Sequence, residues 1–361
     1  MFSYSKKYND PPYTFMFCDI QILIIANGNK IWGEIYMAEK FGVGLWVFGL
    51  ILDRFVSTGY KPQQSLQEKI KQVSGVNKIK GVEIFFPTDF NEEQVDYVKG
   101  LVSKNNLEIA TICVDLYSDP RWQNGSFSSK DLKLREEAVT ITKKAVEISR
   151  RLDVNNCSLW LGQDGFDYMF HDYERHWDSL CESIRDIANH GKNVTIFLEY
   201  KPKEPRTHLH LANLGKTLYL ISDVGLPNVG VVLDTGHGMM ADEDLGETVF
   251  LLARRNIPFT MHFNDNYGYW DDDMIVGSIN FWKYVELFYY LKKCGYNGWY
   301  DIDIYPYRED PKKAVGQCVD FMAYMKKMVN KHYDKIDKLV QKEDVHLAID
   351  ALRKTFLKEY Q

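Results

Sequence analysis

Eight short runs of apolar, β-branched and aromatic residues, at 42–48, 81–86, 108–116, 156–161, 194–199, 229–234, 258–263 and 299–304, recur along the chain with helical stretches between them. Each run has the length of a strand. The intervening segments show helical spacing instead: 132–151 carries Val139, Ile141, Ala145, Val146 and Ile148, and 173–189 carries Trp177, Leu180, Ile184 and Ile187. Strict alternation of strand and helix implies a parallel sheet with right-handed crossovers, and eight repeats allow closure into a (β/α)8 barrel. A doubly wound open sheet is the alternative. It is weakened because Gly42-x-Gly44 lies inside the first strand and lacks the third glycine of a dinucleotide-binding turn. Residues 311–361 are charged and helical in pattern, and are expected to form a C-terminal arm outside the barrel or against a second subunit.

The first 36 residues read differently, with a Pro-Pro turn, one apolar run at 20–26 and no helical period. The run is too short for a membrane span, and Asp19 and Gln21 flank an unbroken apolar stretch of only five residues, which also argues against a secretory signal. The codons for Trp32, Gly33 and Glu34 form a purine-rich stretch at ribosome-binding distance before Met37, so Met37 is a candidate natural start and 1–36 a translated leader. The expected organisation is an extension at 1–36, a catalytic barrel at 37–310 and a helical arm at 311–361.

A net charge of −6 disfavours a nucleic-acid surface, which needs clustered Lys and Arg. Cys18, Cys113, Cys157, Cys181, Cys294 and Cys318 are scattered without a C-x-x-C pair, so neither a thiolate zinc site nor a disulfide framework is indicated and a reducing cytoplasm is the default compartment. Aromatic residues make up 14%, and Trp46, Trp122, Trp160 and Trp270 fall near loop ends, suited to the apolar walls of a sugar-sized pocket.

In parallel barrels the chemistry gathers where strands end. The fifth run closes on Glu199, and the sixth on Asp234 with His237 three residues later. The seventh ends around His262, and the eighth contains Asp301 and Asp303. Like charges converging on one mouth repel unless a cation neutralises them. Mixed carboxylate and imidazole donors favour Mn²⁺, Mg²⁺ or Co²⁺. After the seventh strand comes Asp271-Asp272-Asp273. In an extended loop its first and third carboxylates point the same way, giving a second metal position with Asp234 and His237. Lys201, two residues beyond Glu199, is placed to donate to a developing oxyanion. His171, His176, His208 and His210 have no strand-end position and are read as surface or helix-capping residues.

In this order the segments resemble the xylose isomerase superfamily of TIM barrels, which includes xylose isomerase, bacterial L-rhamnose isomerases and ketose 3-epimerases. The likeness spans about 41–310. Phe41-Gly-Val-Gly-Leu-Trp46 and Trp160-Leu-Gly-Gln-Asp-Gly resemble the tryptophan-bearing first and fourth strands. Glu199-Tyr-Lys201-Pro-Lys-Glu-Pro-Arg206 resembles the E-x-K-P-x-E-P-R motif, and Asp234-Thr-Gly-His237 resembles the bridging-carboxylate segment. Asp271-x-Asp273 resembles the paired second-metal acids, and Asp303-Ile-Tyr-Pro306 resembles the last metal segment, with Tyr305 in place of Lys. Two departures stand out. Asn264 follows His262 where xylose isomerase has Asp, and Phe85 stands where it has the ring-opening histidine, which points away from xylose itself.

The resemblance implies a sugar-processing enzyme with two divalent ions per subunit. Glu199, Asp234, His262 and Asp303 would hold one ion, and Asp234, His237, Asp271 and Asp273 the other. Lys201, Asp273 and His237 would be the catalytic groups, and Trp46, Tyr117, Trp160 and Lys201 the sugar contacts. It further implies a small-molecule sugar substrate, a homo-oligomer (dimer or tetramer), and an aldose–ketose isomerase moving hydrogen between C1 and C2. Ketose 3-epimerisation on the same barrel is the alternative. An endonuclease IV-like enzyme or a non-catalytic barrel is further off; the first needs several more zinc-binding histidines, yet no histidine precedes His171 and the charge balance is acidic.

Overall fold

The computed structural model describes residues 40–357 together with the backbone of 21–26 and 29–34. The expectation of a leader before Met37 therefore falls largely outside the described residues. Two compact units are present, 1–39 and 40–361. The first contains an antiparallel hairpin, β1 (Gln21–Ala26) and β2 (Asn29–Glu34).

The second unit is built on eight parallel strands: β3 (Phe41–Gly44), β4 (Ile79–Phe86), β5 (Glu108–Val114), β6 (Asn156–Trp160), β8 (Thr195–Glu199), β10 (Val229–Asp234), β11 (Phe259–Phe263) and β12 (Tyr300–Ile302). They close in that order, β12 pairing back to β3. Helices α1 (Leu66–Ser74), α2 (Val95–Lys104), α3 (Leu132–Arg151), α4 (Tyr173–His190), α5 (Leu214–Val224), α6 (Thr235–Met240), α7 (Leu245–Arg254) and α8 (Phe281–Lys293) fall between the strands. The (β/α)8 barrel is thus borne out. A two-stranded ribbon, β7 (Gly165–Phe166) with β9 (His208–Leu209), joins the loops that follow β6 and β8.

Local chemistry explains the boundaries. Ser65 and Glu68 form a reciprocal capping box at α1, and Asp172, Asn213, Asp244 and Asp310 each accept a backbone N–H at a helix start. The run from Val229 to Leu233 is buried on both faces, as a parallel strand under helices requires. The sequence pattern assigns strand to 45–48, but the first strand ends at Gly44 and Leu45–Phe48 coil into a 3-10 turn, burying Leu45, Val47 and Phe48 and leaving Trp46 partly open. The helical tail is present as α9 (Pro311–Lys342) and α10 (Val345–Phe356). The α9 stripe of Val315, Val319, Met322 and Val329 is buried in the common core, so this helix completes the ring.

The upper interior is polar. Asp301, within β12, and Asp303, just past its end, share the inward face, as period-two alternation demands. Asp301 pairs in register with Gly42. A Cβ at Gly42 would lie 1.8 Å from Asp301 Oδ1, so the glycine makes room for the acid. Gly42→Ala is expected to lower stability by about 1–3 kcal/mol through overpacking. Urea unfolding reads this directly, and a loss under about 0.5 kcal/mol, typical of a tolerated surface change, would contradict the packing.

Candidate active site

The mouth is assembled from strand ends and the turns that leave them. Glu199 is the last residue of β8, and Asp234 is both the end of β10 and the N-cap of α6. Asp234 Oδ1 accepts the His237 backbone N–H at 2.8 Å, which sets His237 one turn above it. Asn264 Nδ2 donates to the other Asp234 oxygen at 2.7 Å. A Cβ at Gly236 would meet Asn264 Oδ1 at 1.9 Å, so the small residue in Asp-Thr-Gly-His is what lets this amide reach the carboxylate.

One oxygen of Glu199 lies between two imidazoles, 3.3 Å from His237 Nδ1 and 3.5 Å from His262 Nδ1. His262 Nδ1 is also 3.2 Å from Asp303 Oδ2, and His237 Nε2 is 3.1 Å from Asp271 Oδ2. Donor atoms of Glu199, Asp234, His262 and Asp303 lie within 4.8 Å of one another, as do those of Asp234, His237 and Asp271. Asp234 belongs to both groups. Asp273 lines the same cavity but stands outside both groups. Its backbone is left-handed, with φ 48°, so the acidic loop is not the extended segment expected from the sequence: a turn at Asp273, rather than alternation, brings both acids to the cavity.

Burial opposes charge on all these groups, and their neighbours decide the outcome. Against burial, His262 and His237 hold the Glu199 carboxyl down at about 2. Burial pushes Asp234 up to about 7, with His237 opposing and Asp271, Glu199 and Asp303 adding to the rise. Asp273 is driven well above the carboxylate range by burial and by Asp271 and Asp303. Both imidazoles stay well above their usual range despite burial, His237 through Asp234 and Asp271, and His262 through Glu83 and Glu199. Lys201 is buried between Glu204, at 2.5 Å, and Asp271, at 2.9 Å. Burial works against its ammonium, yet Asp271 and Glu204 raise its pKa well above normal.

The donor set fits divalent metal. His237 Nδ1, His262 Nδ1 and Asp271 Oδ1 are buried without a partner of hydrogen-bond geometry. The Nδ1 to carboxylate separations about Glu199 and Asp303, 3.2–3.5 Å, exceed the ~2.7–2.9 Å of charge-assisted hydrogen bonds. They approach the ~3.0–3.4 Å between two donors sharing an ion at ~2.1 Å.

Aromatic rings form one continuous wall: Trp46 against Phe85 at 4.8 Å between centroids, Phe85 against Tyr117 at 6.2 Å, and Tyr117 against Trp160 at 4.4 Å. Trp46 Nε1 donates to Asp303 at 2.5 Å, tying the wall to the acids. Lys201 Nζ sits 5.1 Å from the Trp160 ring. Every residue assigned to the site from sequence except Asp234 lines this cavity, and Asp234 lies fully buried beneath it. Trp122 is buried in the core, and neither it nor Trp270 reaches the cavity.

Strand-end reasoning missed several members. Phe85, Glu204, Tyr305 and Tyr307 line the cavity. Glu83 is fully buried inside β4 and meets His262 Nε2 at 2.9 Å, holding the ring from below. An acid within the apolar Val82-Glu-Ile-Phe run was the available signal. His176 and His210 are buried, not on the surface as expected, because the β7–β9 ribbon covers them. The cysteines among the described residues are free thiols.

A closed parallel barrel with metal-type donors gathered at its C-terminal mouth defines the class as a barrel of enzyme design. The chain belongs to the xylose isomerase-like TIM barrel family, whose profile matches residues 76–325. It is similar to the xylose isomerase of Thermus thermophilus, 24% identical over 298 residues, covering 77% of this chain and 75% of that one. With the Hordeum vulgare xylose isomerase it shares 27% over 140 residues, 37% of this chain and 29% of the other. In fold it resembles an L-ribulose 3-epimerase (TM-score 0.64, 15% identity, 82% of this chain and 98% of that one). A D-tagatose 3-epimerase-like protein gives TM-score 0.64 at 21% identity, covering 81% and 99%. Among the described residues no helix is long and apolar enough to cross a membrane.

Removing the Glu83 carboxylate strands His262 Nε2 in the interior. Glu83→Ala is expected to cost about 1–3 kcal/mol in denaturant unfolding, and Glu83→Gln, which can still bond the ring, less. Equal stability of Glu83→Ala and the parent would show that the contact does not hold the ring.

Proposed function

We propose that this chain is a divalent-metal-dependent aldose–ketose isomerase. The observation that carries the reading is the sharing of Asp234 by two donor groups, one with Glu199, His262 and Asp303 and one with His237 and Asp271. Asp273, beside the second group, is assigned to it as a further donor. Mn²⁺, Mg²⁺ or Co²⁺ suits such carboxylate-rich sets, and bound there the ions would polarise adjacent sugar oxygens and acidify a hydroxyl or water.

The chain's own groups supply the rest. Lys201 Nζ, fixed by Asp271 and Glu204, donates to the substrate oxygen on C1 as that oxygen gains charge. The hydroxyl on C2 gives up its proton to a water positioned by His237 and Asp273, hydrogen passes from C2 to C1 with its electron pair, and that water returns the proton to the oxygen on C1. Trp46, Phe85, Tyr117 and Trp160 keep water from the reacting carbons. The relatives named above are sugar isomerases, and the fold neighbours carry epimerase names, so a sugar of this general size is the substrate class.

A ketose 3-epimerase is the second reading, favoured by Phe85, which puts a hydrocarbon ring where a ring-opening base would stand. Glu199 and Asp303 would then remove and return the proton at C3.

Turnover of an aldose and ketose panel in D₂O separates the two. Isomerisation between C1 and C2 with little deuterium in the product supports the first reading, and deuterium at C3 supports the second. No turnover by metal-loaded protein would sink both. Chelation should abolish activity and Mn²⁺ or Co²⁺ restore it. Asp234→Asn and Lys201→Met should each lower kcat/KM by at least about 10²-fold, the scale of losing a transition-state charge stabiliser, while far-UV circular dichroism stays unchanged.

A further inference from the structure

Three more histidines converge away from the barrel mouth. His171 precedes the N-cap of α4, His176 lies in that helix's first turns, and His210 follows β9. The antiparallel pairing of Phe166 with His208, and the His210 N–H bond to the Asp164 carbonyl at 3.0 Å, carry His210 onto the start of α4. One nitrogen from each ring lies within 4.8 Å of the others. His176 and His210 are 5% and 6% exposed.

His210 Nε2 is 3.3 Å from His176 Nδ1. Two nitrogens held at ~2.0–2.1 Å from a tetrahedral ion stand ~3.3–3.4 Å apart. The plain alternative is that the imidazoles bond one another, and it explains only this pair. The Arg175 guanidinium contacts His176 Nε2, which puts the His176 proton on Nδ1, facing His210. His171 Nε2 is left buried with no hydrogen-bond partner, although its ring centroid is 3.8 Å from that of His176. Buried polar atoms normally find partners, and an ion among the three rings supplies one.

We propose that His171, His176 and His210 form a separate binding site for a borderline transition-metal ion of the Zn²⁺ class. Imidazoles alone suit Zn²⁺, Ni²⁺ or Cu²⁺, whereas the carboxylate-rich mouth suits Mn²⁺ or Mg²⁺. Burial, helped by the neighbouring histidines, holds His176 down at about 4 and His210 at about 3, so both rings are neutral at neutral pH. On binding, the His176 proton moves from Nδ1 to Nε2 and Arg175 gives up that contact, keeping its bonds to the Ser128 and Ser129 carbonyls. The ion would tie α4 to the β7–β9 ribbon, and so brace the loops that leave β6 after Trp160 and β8 after Glu199.

The test uses tag-free full chain, with Zn²⁺ counted by mass spectrometry after gel filtration. The Glu199→Gln, Asp234→Asn double variant, which disables the mouth, is expected to retain one Zn²⁺ per chain. Adding His210→Ala should remove that equivalent, and adding His171→Ala, on the partly exposed loop, should weaken binding at least tenfold. Co²⁺ should give the visible absorption of a tetrahedral ion in the double variant and lose it with either histidine change. A folded double variant that binds no Zn²⁺, or one whose Zn²⁺ survives both histidine changes undiminished, would overturn the proposal. Failure of the mouth to bind metal would leave this result untouched.

Discussion

The structure depends on a single oxygen of Glu199 held between His237 and His262 at 3.3 and 3.5 Å. Around it Asp271, Asp273 and Asp303 line the same cavity, with Asp234 buried at its base. Carboxylates so close cannot all stay charged unaided. The molecule's answer is visible in the opposed behaviour of its acids: Glu199 is held down, while Asp234 and Asp273 are pushed up. A site in this electrostatic condition is prepared for cations, and the polar interior beneath it, with Glu83 bracing His262, is spent on holding the donors still.

The barrel makes that crowding affordable. Strand ends deliver Glu199, Asp234 and His262 from neighbouring strands, and the N-cap of α6 fixes His237 relative to Asp234 without further machinery. The aromatic wall then serves two roles, shielding the cavity and, through Trp46, bonding to Asp303. The small residues Gly42 and Gly236 mark where a side chain of the site needs the space of a missing Cβ.

Much of this was legible in the sequence because strand periodicity places residues without reference to anything distant. Asp234 at the end of an unbroken apolar run, or Lys201 two residues past Glu199, can be placed by counting. What counting could not find were side chains whose role is set across the barrel. Glu83 meets His262 from a strand 179 residues away. Phe85 read only as a missing histidine, yet it fills the gap between Trp46 and Tyr117. Asp273 reaches the cavity through a left-handed turn that the repeated aspartates do not announce. The buried histidines were misjudged because the two-residue strands β7 and β9 that cover them are too short to carry a period.

The central claim is that these acids and imidazoles are a cation site shared through Asp234. Anomalous diffraction from crystals grown with Mn²⁺ tests it most directly. The account predicts anomalous peaks on either side of the Asp234 carboxylate, one bounded by Glu199, His262 and Asp303 and the other by His237 and Asp271. Clear density for those side chains with no anomalous peak among them would contradict it.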